Sequence, residues 1–321
     1  MAFPAENGAP VVDGVSFDVR PGEIVALVGE SGSGKSVTAF ALLDLVPEPG
    51  RTTGGEILFE GRDVRRLPPA DLRKVRGGGI GLIFQEPGSA LDPVRTIGDE
   101  LVGVLRRHRG LPRAEARRAA VDWLRRVSLP EPERRMDDYP HRMSGGMKQR
   151  ATIALALAGG PRLLVADEPT TALDVTIQAQ ILALLRRLRD ELGLAVLLIT
   201  HDLGVVAEIA DRALVMYAGE IVEEADAAEL FAAPAHPYTR GLLASRPEAR
   251  PSAASRLVAI QGTVPEPGRR GGGCLFAPRC PEAIPACLAA RPELREAGPD
   301  HRAACIVTVV TVGTGGTGGG R

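Results

Sequence analysis

The sequence predicts an α/β protein built on a mainly parallel β-sheet. Short apolar runs alternate with helical patterns between Leu163 and Tyr217, and this alternation is typical of parallel strands covered by helices. A glycine-rich segment at residues 29–36 separates an apolar run from a helical pattern, as in strand–loop–helix units that bind phosphate. A helical block precedes the alternation, and a Pro- and Gly-rich stretch with four cysteines follows it. We therefore expect an α/β core, an inserted helical subdomain and a Cys-bearing C-terminal extension.

The individual elements follow from hydrophobic periodicity. Apolar runs predict strands at residues 15–19, 24–28, 56–60, 80–84, 163–166, 196–200 and 213–217. Helical spacing predicts helices from residue 35 to about 45 and at 113–127, 175–192 and 203–210. We expect a nucleotide-binding domain at 1–232 with its helical subdomain at about 88–159, an extension at 233–312, and a disordered Gly/Thr-rich tail at 313–321.

Composition and charge exclude several classes of protein. The chain has 321 residues and a net charge of -1, which does not favour bulk attraction to nucleic acid or anionic lipid. No apolar stretch approaches the roughly 18 residues that a membrane span requires, and the N-terminus does not resemble a secretory signal. We expect a cytosolic protein. If it serves a membrane, it does so through partner chains.

The segment at residues 29–36 matches the phosphate-loop pattern G-x-x-x-x-G-K-[ST]. Its glycines let backbone N–H groups face phosphates, and the following helix start adds a positive dipole end. Lys35 is one of three lysines in an arginine-rich chain, and its compact charge suits the β- and γ-phosphates. Ser36 is a candidate Mg²⁺ ligand. The predicted ATP-binding residues are Gly29, Glu30, Ser31, Gly32, Ser33, Gly34, Lys35, Ser36 and Val37.

A second apolar run ends in two adjacent carboxylates, Asp167 and Glu168. Asp167 at the tip of this predicted strand can hold Mg²⁺ through water, and Glu168 can orient and polarise an attacking water. A pair of helix-capping acids is the alternative interpretation, and the phosphate loop in the same chain weakens it. The two motifs together predict an ATP-hydrolysing site.

The remaining motifs give the chain a family resemblance. The segment S-G-G-M-K-Q-R at residues 144–150 resembles the ABC signature, and ABC ATPases combine it with the two motifs above. The resemblance implies an ABC ATPase (P-loop NTPase) core with catalytic roles for Gln85 of the Q-loop, Glu168 and the switch residue His201. It also implies a D-loop at Asp174 and Mg²⁺ held by Ser36, Gln85 and Asp167. The signature residues Ser144, Gly145, Gly146 and Gln149 would then contact the ATP bound by a second subunit.

An aromatic side chain that stacks on adenine usually precedes the phosphate loop in this family. Here the only aromatic residue before Phe17 is Phe3, and Phe17 has the pattern of a core residue. The resemblance therefore implies Phe3 as the adenine platform, in a chain whose first family strand is missing or shortened.

Three segments resemble the oligopeptide, dipeptide and nickel importer group of ABC proteins: residues 84–93, 170–180 and 236–243. The resemblance implies ATP-driven import of peptides at the cytoplasmic face of the cell membrane. The implied partners are two transmembrane permease subunits, a second ATPase subunit, most often a different chain, and an extracytoplasmic solute-binding protein. No nucleic-acid partner is expected.

The four cysteines, Cys274, Cys280, Cys287 and Cys305, all lie in the extension. Clustered cysteines in a cytosolic protein favour metal or redox chemistry over structural disulfides. Their pattern resembles the C-terminal region of peptide-importer ATPases, which implies a [4Fe–4S] cluster. A zinc ion, although no C-x-x-C pair is present, and free structural thiols remain alternatives.

Two other classes of function are alternatives to a transport ATPase. A soluble ABC ATPase acting on DNA or ribosomes would need a coiled-coil arm, zinc modules or a tandem second domain, and the sequence has none of these patterns. A binding module that does not hydrolyse ATP would lack Glu168 or His201, and both residues are present.

Overall fold

A twisted β-sheet forms the centre of the molecule. The computed structural model describes residues 1–2, 9–246 and 259–308. Within these ranges eight strands form one sheet in the order β4-β5-β6-β1-β7-β8-β10-β9, and a separate hairpin pairs β2 with β3. The strands are β1 Ile24–Val28, β2 Leu58–Phe59, β3 Arg62–Asp63, β4 Ile80–Ile83, β5 Leu163–Asp167, β6 Ala195–Thr200, β7 Arg212–Tyr217, β8 Glu220–Asp226, β9 Arg295–Gly298 and β10 His301–Ala303.

The sheet is parallel at one end and antiparallel at the other. Strands β4, β5, β6, β1 and β7 pair in parallel, whereas β7–β8, β8–β10 and β10–β9 are antiparallel. All five residues of β1 and all six of β6 are buried, because helices cover parallel strands on both faces. The predicted α/β class with a mainly parallel sheet is confirmed, and the carboxyl ends of the parallel strands share one edge.

Helices connect and cover the strands. In chain order they are α1 Lys35–Ala41, α2 Pro69–Gly78, α3 Pro87–Ala90, α4 Ile97–Arg109, α5 Arg113–Arg126, α6 Pro132–Arg135, α7 Gly145–Ala158, α8 Val175–Leu192, α9 Leu203–Ile209, α10 Ala227–Ala232, α11 Pro237–Ala244 and α12 Pro285–Ala289. No helix in the described ranges is long and apolar enough to cross a membrane.

The predicted helical insertion is present and has its own packing. Helices α3 to α7 lie between β4 and β5, and α4, α5 and α7 pack together around Leu101, Leu105, Ala120 and Leu124, which are almost fully buried. Helix α4 begins at a hydrogen bond from the Asp99 N–H to the Thr96 hydroxyl. The insertion therefore stands between the strand that precedes Gln85 and the strand that ends at Asp167.

Two predicted strands differ from the structure. The structure assigns no strand to residues 15–19, although half-buried and exposed residues alternate there as they would in a strand. The strand predicted at residues 56–60 is reduced to the two residues of β2. Alternation alone does not make a strand, because a strand also needs a neighbour that completes its backbone hydrogen bonds.

The C-terminal extension joins the central sheet instead of folding beside it. Strand β10 pairs with β8, so the antiparallel edge of the sheet comes from residues more than seventy positions apart. The Glu223 carboxylate on β8 accepts hydrogen bonds from the backbone N–H groups of Ala235 and His236 and lies 2.7 Å from His301 Nε2 on β10. Glu223 and His301 are both buried, so these contacts fix the extension firmly to the core.

Candidate functional site

The phosphate-loop segment connects β1 to α1, as the sequence predicted. Gly34 precedes α1 with a φ of 106°, a left-handed conformation that favours glycine. A Cβ atom on Gly29 would stand 2.1 Å from the carbonyl oxygen of Met216, so this position admits only glycine. The close approach fixes the start of the loop against β7 at the carboxyl edge of the sheet.

Lys35 lies at the centre of this loop. Its Nζ donates hydrogen bonds to the carbonyl oxygens of Gly29, at 2.8 Å, and Glu30, at 3.0 Å. The side chain is buried, and burial lowers the pKa of Lys35, which the nearby carboxylates of Glu168 and Asp167 partly offset. The loop thus holds a desolvated ammonium group where a polyphosphate would be surrounded by backbone N–H groups.

Asp167 ends strand β5 beside the loop. Burial raises the pKa of the Asp167 carboxyl, and a hydrogen bond with Ser36 opposes that rise. Among the described residues, Asp167 Oδ1 has no hydrogen-bond partner although it is buried. A buried carboxylate oxygen without a partner is costly in the absence of a ligand, and together with the Ser36 hydroxyl it forms a donor set suited to Mg²⁺.

Glu168 is held by three side chains from different parts of the chain. Its Oε2 accepts hydrogen bonds from Thr171 Oγ1, at 2.7 Å, and Gln85 Nε2, at 3.2 Å, and its Oε1 lies 2.9 Å from His201 Nδ1. Burial raises the pKa of Glu168, but the contacts with Thr171 and His201 together lower it by more than burial raises it. The pKa of Glu168 is therefore lower than usual. Glu168 is therefore ionised at neutral pH and can accept a proton from water.

The backbone places these groups with some strain. Glu168 has a φ of 47°, a left-handed conformation that is uncommon for residues other than glycine. Gln85 follows β4 and His201 follows β6, the two neighbours of β5 in the sheet. Three adjacent parallel strands therefore deliver Gln85, Glu168 and His201 to one point, beside Lys35.

The predicted signature and D-loop residues lie on exposed helix starts. The Ser144 hydroxyl accepts a hydrogen bond from the Met147 N–H, and the Asp174 carboxylate accepts one from the Ile177 N–H, so each caps its own helix. Ser144, Gly145 and Asp174 are exposed. A Cβ atom on Gly146 would stand 2.9 Å from Ile177 Cγ2, so the start of α7 packs closely on α8.

Gln149 differs from the other signature residues. Its side chain is only 1% exposed, and in the described part of the chain its Nε2 has no hydrogen-bond partner. In this conformation the side chain faces the interior of the helical subdomain and not the surface that a second subunit could reach.

Comparison with known proteins identifies this site. The family model for ABC transporters matches residues 12–171, and the model for the C-terminal region of oligopeptide/dipeptide transporters matches residues 222–287. The "Probable peptide ABC transporter ATP-binding protein y4tR" of Sinorhizobium fredii is 52% identical over 94% of this chain and 90% of its own length. The chain belongs to the ABC transporter family.

Further relatives agree with this assignment of the ABC ATPase. The oligopeptide transport ATP-binding protein AppD of Bacillus subtilis is 49% identical over 91% of this chain and 89% of its own length. Among solved structures, the ATP-binding cassette MJ0796, a dimer in a post-hydrolysis state bound to ADP and Pi, is 32% identical with a TM-score of 0.59. That match covers 68% of this chain and 90% of MJ0796. The predicted family and the predicted ATPase activity are confirmed.

Two predictions for the ABC ATPase fall outside the described residues. Phe3, the proposed adenine platform, lies in the segment 3–8, and the predicted Gly/Thr-rich tail at 313–321 lies in the segment 309–321. Phe3 as the adenine platform therefore stays a prediction.

The four cysteines of the ABC ATPase line one small cavity of about 10 Å³. Cys287 and Cys305 are buried, and burial raises the pKa of the Cys274 and Cys280 thiols. The Cys274 N–H donates to the Cys287 carbonyl oxygen at 2.7 Å, so the backbone itself holds these two residues together. Across the described ranges, no group of three or more His, Cys, Asp or Glu side chains has the spacing of a metal-ion site.

Sequence reasoning missed several residues around the nucleotide site. Thr171 stands three positions after Glu168, and a hydroxyl at that spacing from a strand-terminal carboxylate is a local signal that could have been used. Tyr238 and Arg279 contact the phosphate loop from the extension. No local pattern points to them, because the contacts join residues more than two hundred positions apart.

Proposed function

We propose that this ABC ATPase powers the import of peptides through a membrane transporter. The observation that carries the proposal is the match of residues 222–287 to the C-terminal region of oligopeptide/dipeptide transporters. The printed names of the y4tR and AppD relatives, which refer to peptide and oligopeptide transport, support the same cargo. The described part of the matched region packs on the nucleotide-binding core, so the segment typical of peptide transporters and the ATPase form one structural unit.

The proposed complex contains two permease subunits, a second ATPase subunit and an extracytoplasmic solute-binding protein. The ABC ATPase would lie at the cytoplasmic face of the membrane, with residues 1–232 as its nucleotide-binding domain and 233–312 as its extension. Exposure of Ser144, Gly145 and Asp174 supports an interface with another ATPase subunit. We assign the contact with the partner's ATP to Ser144, Gly145 and Gly146 and not to the buried Gln149 side chain.

For hydrolysis we propose that Glu168 accepts a proton from the attacking water. The contacts that lower its pKa also aim its carboxylate between Gln85 and His201. Gln85 would orient the water, and His201 would contact the γ-phosphate as it leaves. Lys35 and the loop at residues 29–37 would bind the phosphates.

Ser36, Asp167 and Gln85 are the residues we propose to hold Mg²⁺. The unpartnered Asp167 Oδ1 and its contact with Ser36 support this choice. A magnesium ion bound there would neutralise charge on the β- and γ-phosphates. The protein's own contribution is to hold the Asp167 carboxyl group in place at the end of β5, beside Ser36.

We propose further that the four cysteines hold a [4Fe–4S] cluster. Their convergence on one cavity supports a common ligand, and a set of four thiols suits iron–sulfur chemistry. A tetrahedral zinc ion would require all sulfurs about 3.8 Å apart, given a Zn–S bond of about 2.3 Å. In a cluster each thiolate binds a different iron, so the four sulfur atoms can lie farther apart than they would around a single zinc ion. Iron, sulfide and zinc analysis after anaerobic purification tests the proposal, and a protein free of iron refutes it.

The transport proposal is tested in cells that lack the chain. Deletion cells would be complemented with the wild-type chain or with a Glu168→Gln variant, and uptake of a labelled oligopeptide would be measured. We expect wild-type complementation to restore uptake and the variant to fail. A tagged wild-type chain purified from membranes in mild detergent with ATP should carry two permeases and a second ATPase.

Two results would contradict this function. Peptide uptake that does not depend on the chain, with uptake of another solute lost, would refute peptide cargo while leaving the transport role intact. Copurification of soluble proteins alone, from intact membranes with the chain at normal abundance, would refute the transport role itself.

A further inference from the structure

The phosphate loop of this ABC ATPase is held from outside by the C-terminal extension. The Glu30 carboxylate accepts two hydrogen bonds from the guanidinium of Arg279, from Nη1 at 2.7 Å and Nη2 at 3.0 Å. The Arg279 side chain is 6% exposed and that of Glu30 is 30% exposed. This is a two-pronged ion pair with little access to solvent, the geometry in which an arginine–carboxylate contact is strongest.

Arg279 is itself rigidly mounted. Its Nε donates to the Gln261 carbonyl oxygen at 2.7 Å, and its Nη2 reaches the carbonyl oxygens of Ile260 and Gly262. The guanidinium also lies over the ring of Tyr217, 5.7 Å from its centre. Because the edge of the guanidinium is hydrogen-bonded and one face lies over the Tyr217 ring, Arg279 can act as a fixed support for the loop and does not simply follow it.

A second contact from the extension reaches the backbone of the same residue. The Glu30 N–H donates to the Tyr238 hydroxyl oxygen at 2.9 Å, and Tyr238 is fully buried. The Glu30 carbonyl oxygen accepts from Lys35 Nζ. The extension therefore holds the side chain and the N–H of Glu30, while the lysine that faces the phosphates holds its carbonyl group.

Both supports stand beside the cysteine-lined cavity. Arg279 directly precedes Cys280 and ends a short 3₁₀ turn that starts at Ala277, and Cys280 and Ala277 both line the cavity. Tyr238 directly follows Pro237, which lines the cavity as well. The Tyr217, Tyr238 and Phe276 rings pack together between the cavity and the loop, with centroids 4.7 to 5.3 Å apart. Closely packed side chains therefore join the cavity wall to the residues that hold Glu30.

We propose that Arg279 and Tyr238 are positioning residues of the phosphate loop, and that the cysteine cavity sets ATP affinity through them. The proposal concerns the nucleotide site and does not depend on the peptide cargo proposed above. It gives the extension a role in nucleotide binding that its position in the sequence does not suggest.

Two physical effects favour ATP binding when the contact is intact. The fixed Glu30 keeps the loop ordered before ATP arrives, so less conformational entropy is lost on binding. Arg279 also neutralises a carboxylate that stands next to the site of a polyanion. Without Arg279 the Glu30 charge would oppose the phosphates, whereas without Glu30 that opposition disappears together with the ion pair.

The test is a double-mutant cycle on the full-length chain. Affinity for Mg²⁺–AMP-PNP would be measured by calorimetry for wild type, Glu30→Gln, Arg279→Gln and the double variant. We expect Arg279→Gln to raise the Kd about tenfold, equivalent to ~1.4 kcal/mol, with KM rising in parallel. The double variant should bind more tightly than Arg279→Gln alone, because it carries no uncompensated Glu30 charge. If the double variant binds as weakly as Arg279→Gln, or if its loss of affinity is the sum of the two single losses, Arg279 acts only on folding. Either result would overturn the proposal.

Matched variants separate positioning from a general loss of packing. In the same extension Arg240 pairs with Glu282, whose two carboxylate oxygens both accept from Arg240 Nη2, and this pair does not include a residue of the loop. Arg240→Gln therefore removes an arginine–glutamate ion pair without touching Glu30 and should leave the Kd unchanged. Tyr238→Phe keeps the ring and removes the hydroxyl that accepts from Glu30, and it should raise the Kd about threefold. If Arg279→Gln does not fold, Tyr238→Phe decides, and an unchanged Kd then overturns the proposal.

The role of the cavity is tested with Cys280→Ala in two backgrounds. We expect this change to raise the Kd for Mg²⁺–AMP-PNP in the wild-type chain and to have no further effect in the Arg279→Gln chain. An effect of the same size in both chains, or none in either, would overturn the link between the cavity and the phosphate loop. Thermal unfolding of each variant shows whether the chain is folded in the assay.

Discussion

Replacement of Glu168 by Gln isolates the basicity of one side chain. The present carboxylate accepts from Thr171 and Gln85 through Oε2 and faces His201 Nδ1 with Oε1. A glutamine amide can keep its oxygen at the Oε2 position and turn its NH₂ group toward His201. A neutral histidine protonated on Nε2 can accept that hydrogen bond at Nδ1. The geometry of the site is therefore expected to survive while the ionised base is lost.

The size of the effect follows from that geometry. Because the amide can satisfy all three neighbours, we expect the stability of the chain and its affinity for ATP to change little. General-base catalysis contributes typically 10²–10⁴ in rate, so kcat should fall about 10³-fold, equivalent to ~4 kcal/mol in the activation barrier. Slow hydrolysis with intact binding should also let ATP-bound subunits accumulate.

The assay compares steady-state phosphate release and ATP affinity in the wild type and the variant. Glu191→Gln is a matched control, because Glu191 is an exposed carboxylate on α8 that pairs only with Arg187 among the described residues. We expect the control to retain wild-type kcat. Hydrolysis by Glu168→Gln within about threefold of wild type would refute the assignment of Glu168 as the base.

The remaining predictions concern the loop, the support of Glu168 and pH. Lys35→Arg should raise the Kd for ATP more than tenfold, because a guanidinium does not fit the buried position from which the Lys35 ammonium group donates to two carbonyl oxygens. Calorimetry measures this Kd. Thr171→Val should lower kcat about tenfold and move the acid limb of the pH–rate profile upward, because the hydroxyl lowers the pKa of Glu168; an unmoved limb contradicts this. Burial lowers the pKa of His236 to about 4 from 6.5, so the unfolded chain takes up this proton first as pH falls. Stability from this group is complete above about pH 6.5 and decreases toward pH 4, by ~2 kcal/mol at pH 5. In urea unfolding at pH 7.5 and 5, His236→Asn should lose that part of the pH dependence and keep the helix cap; an unchanged dependence contradicts the assignment.

Several features of the fold and the site could be predicted because their determinants are contiguous. Strand β1, the loop at residues 29–36 and helix α1 follow each other directly, and helix α8 was predicted with the bounds the structure gives it. Failures occurred where structure depends on a neighbour. Residues 15–19 alternate like a strand without forming one. Strands β8, β9 and β10 were not predicted, because strands of three to seven residues carry little periodicity.

The sequence by itself determined the chemistry of this protein, and the tertiary structure decided how its parts are connected. Phosphate binding and the carboxylates of Asp167 and Glu168 reside in short motifs whose residue types and spacing suffice to identify them. The meeting of Gln85, Glu168 and His201 depends on strand order, and the pairing of Glu30 with Arg279 joins residues 249 positions apart. Local patterns cannot specify such contacts, because they form only when packing of the whole chain brings distant segments together.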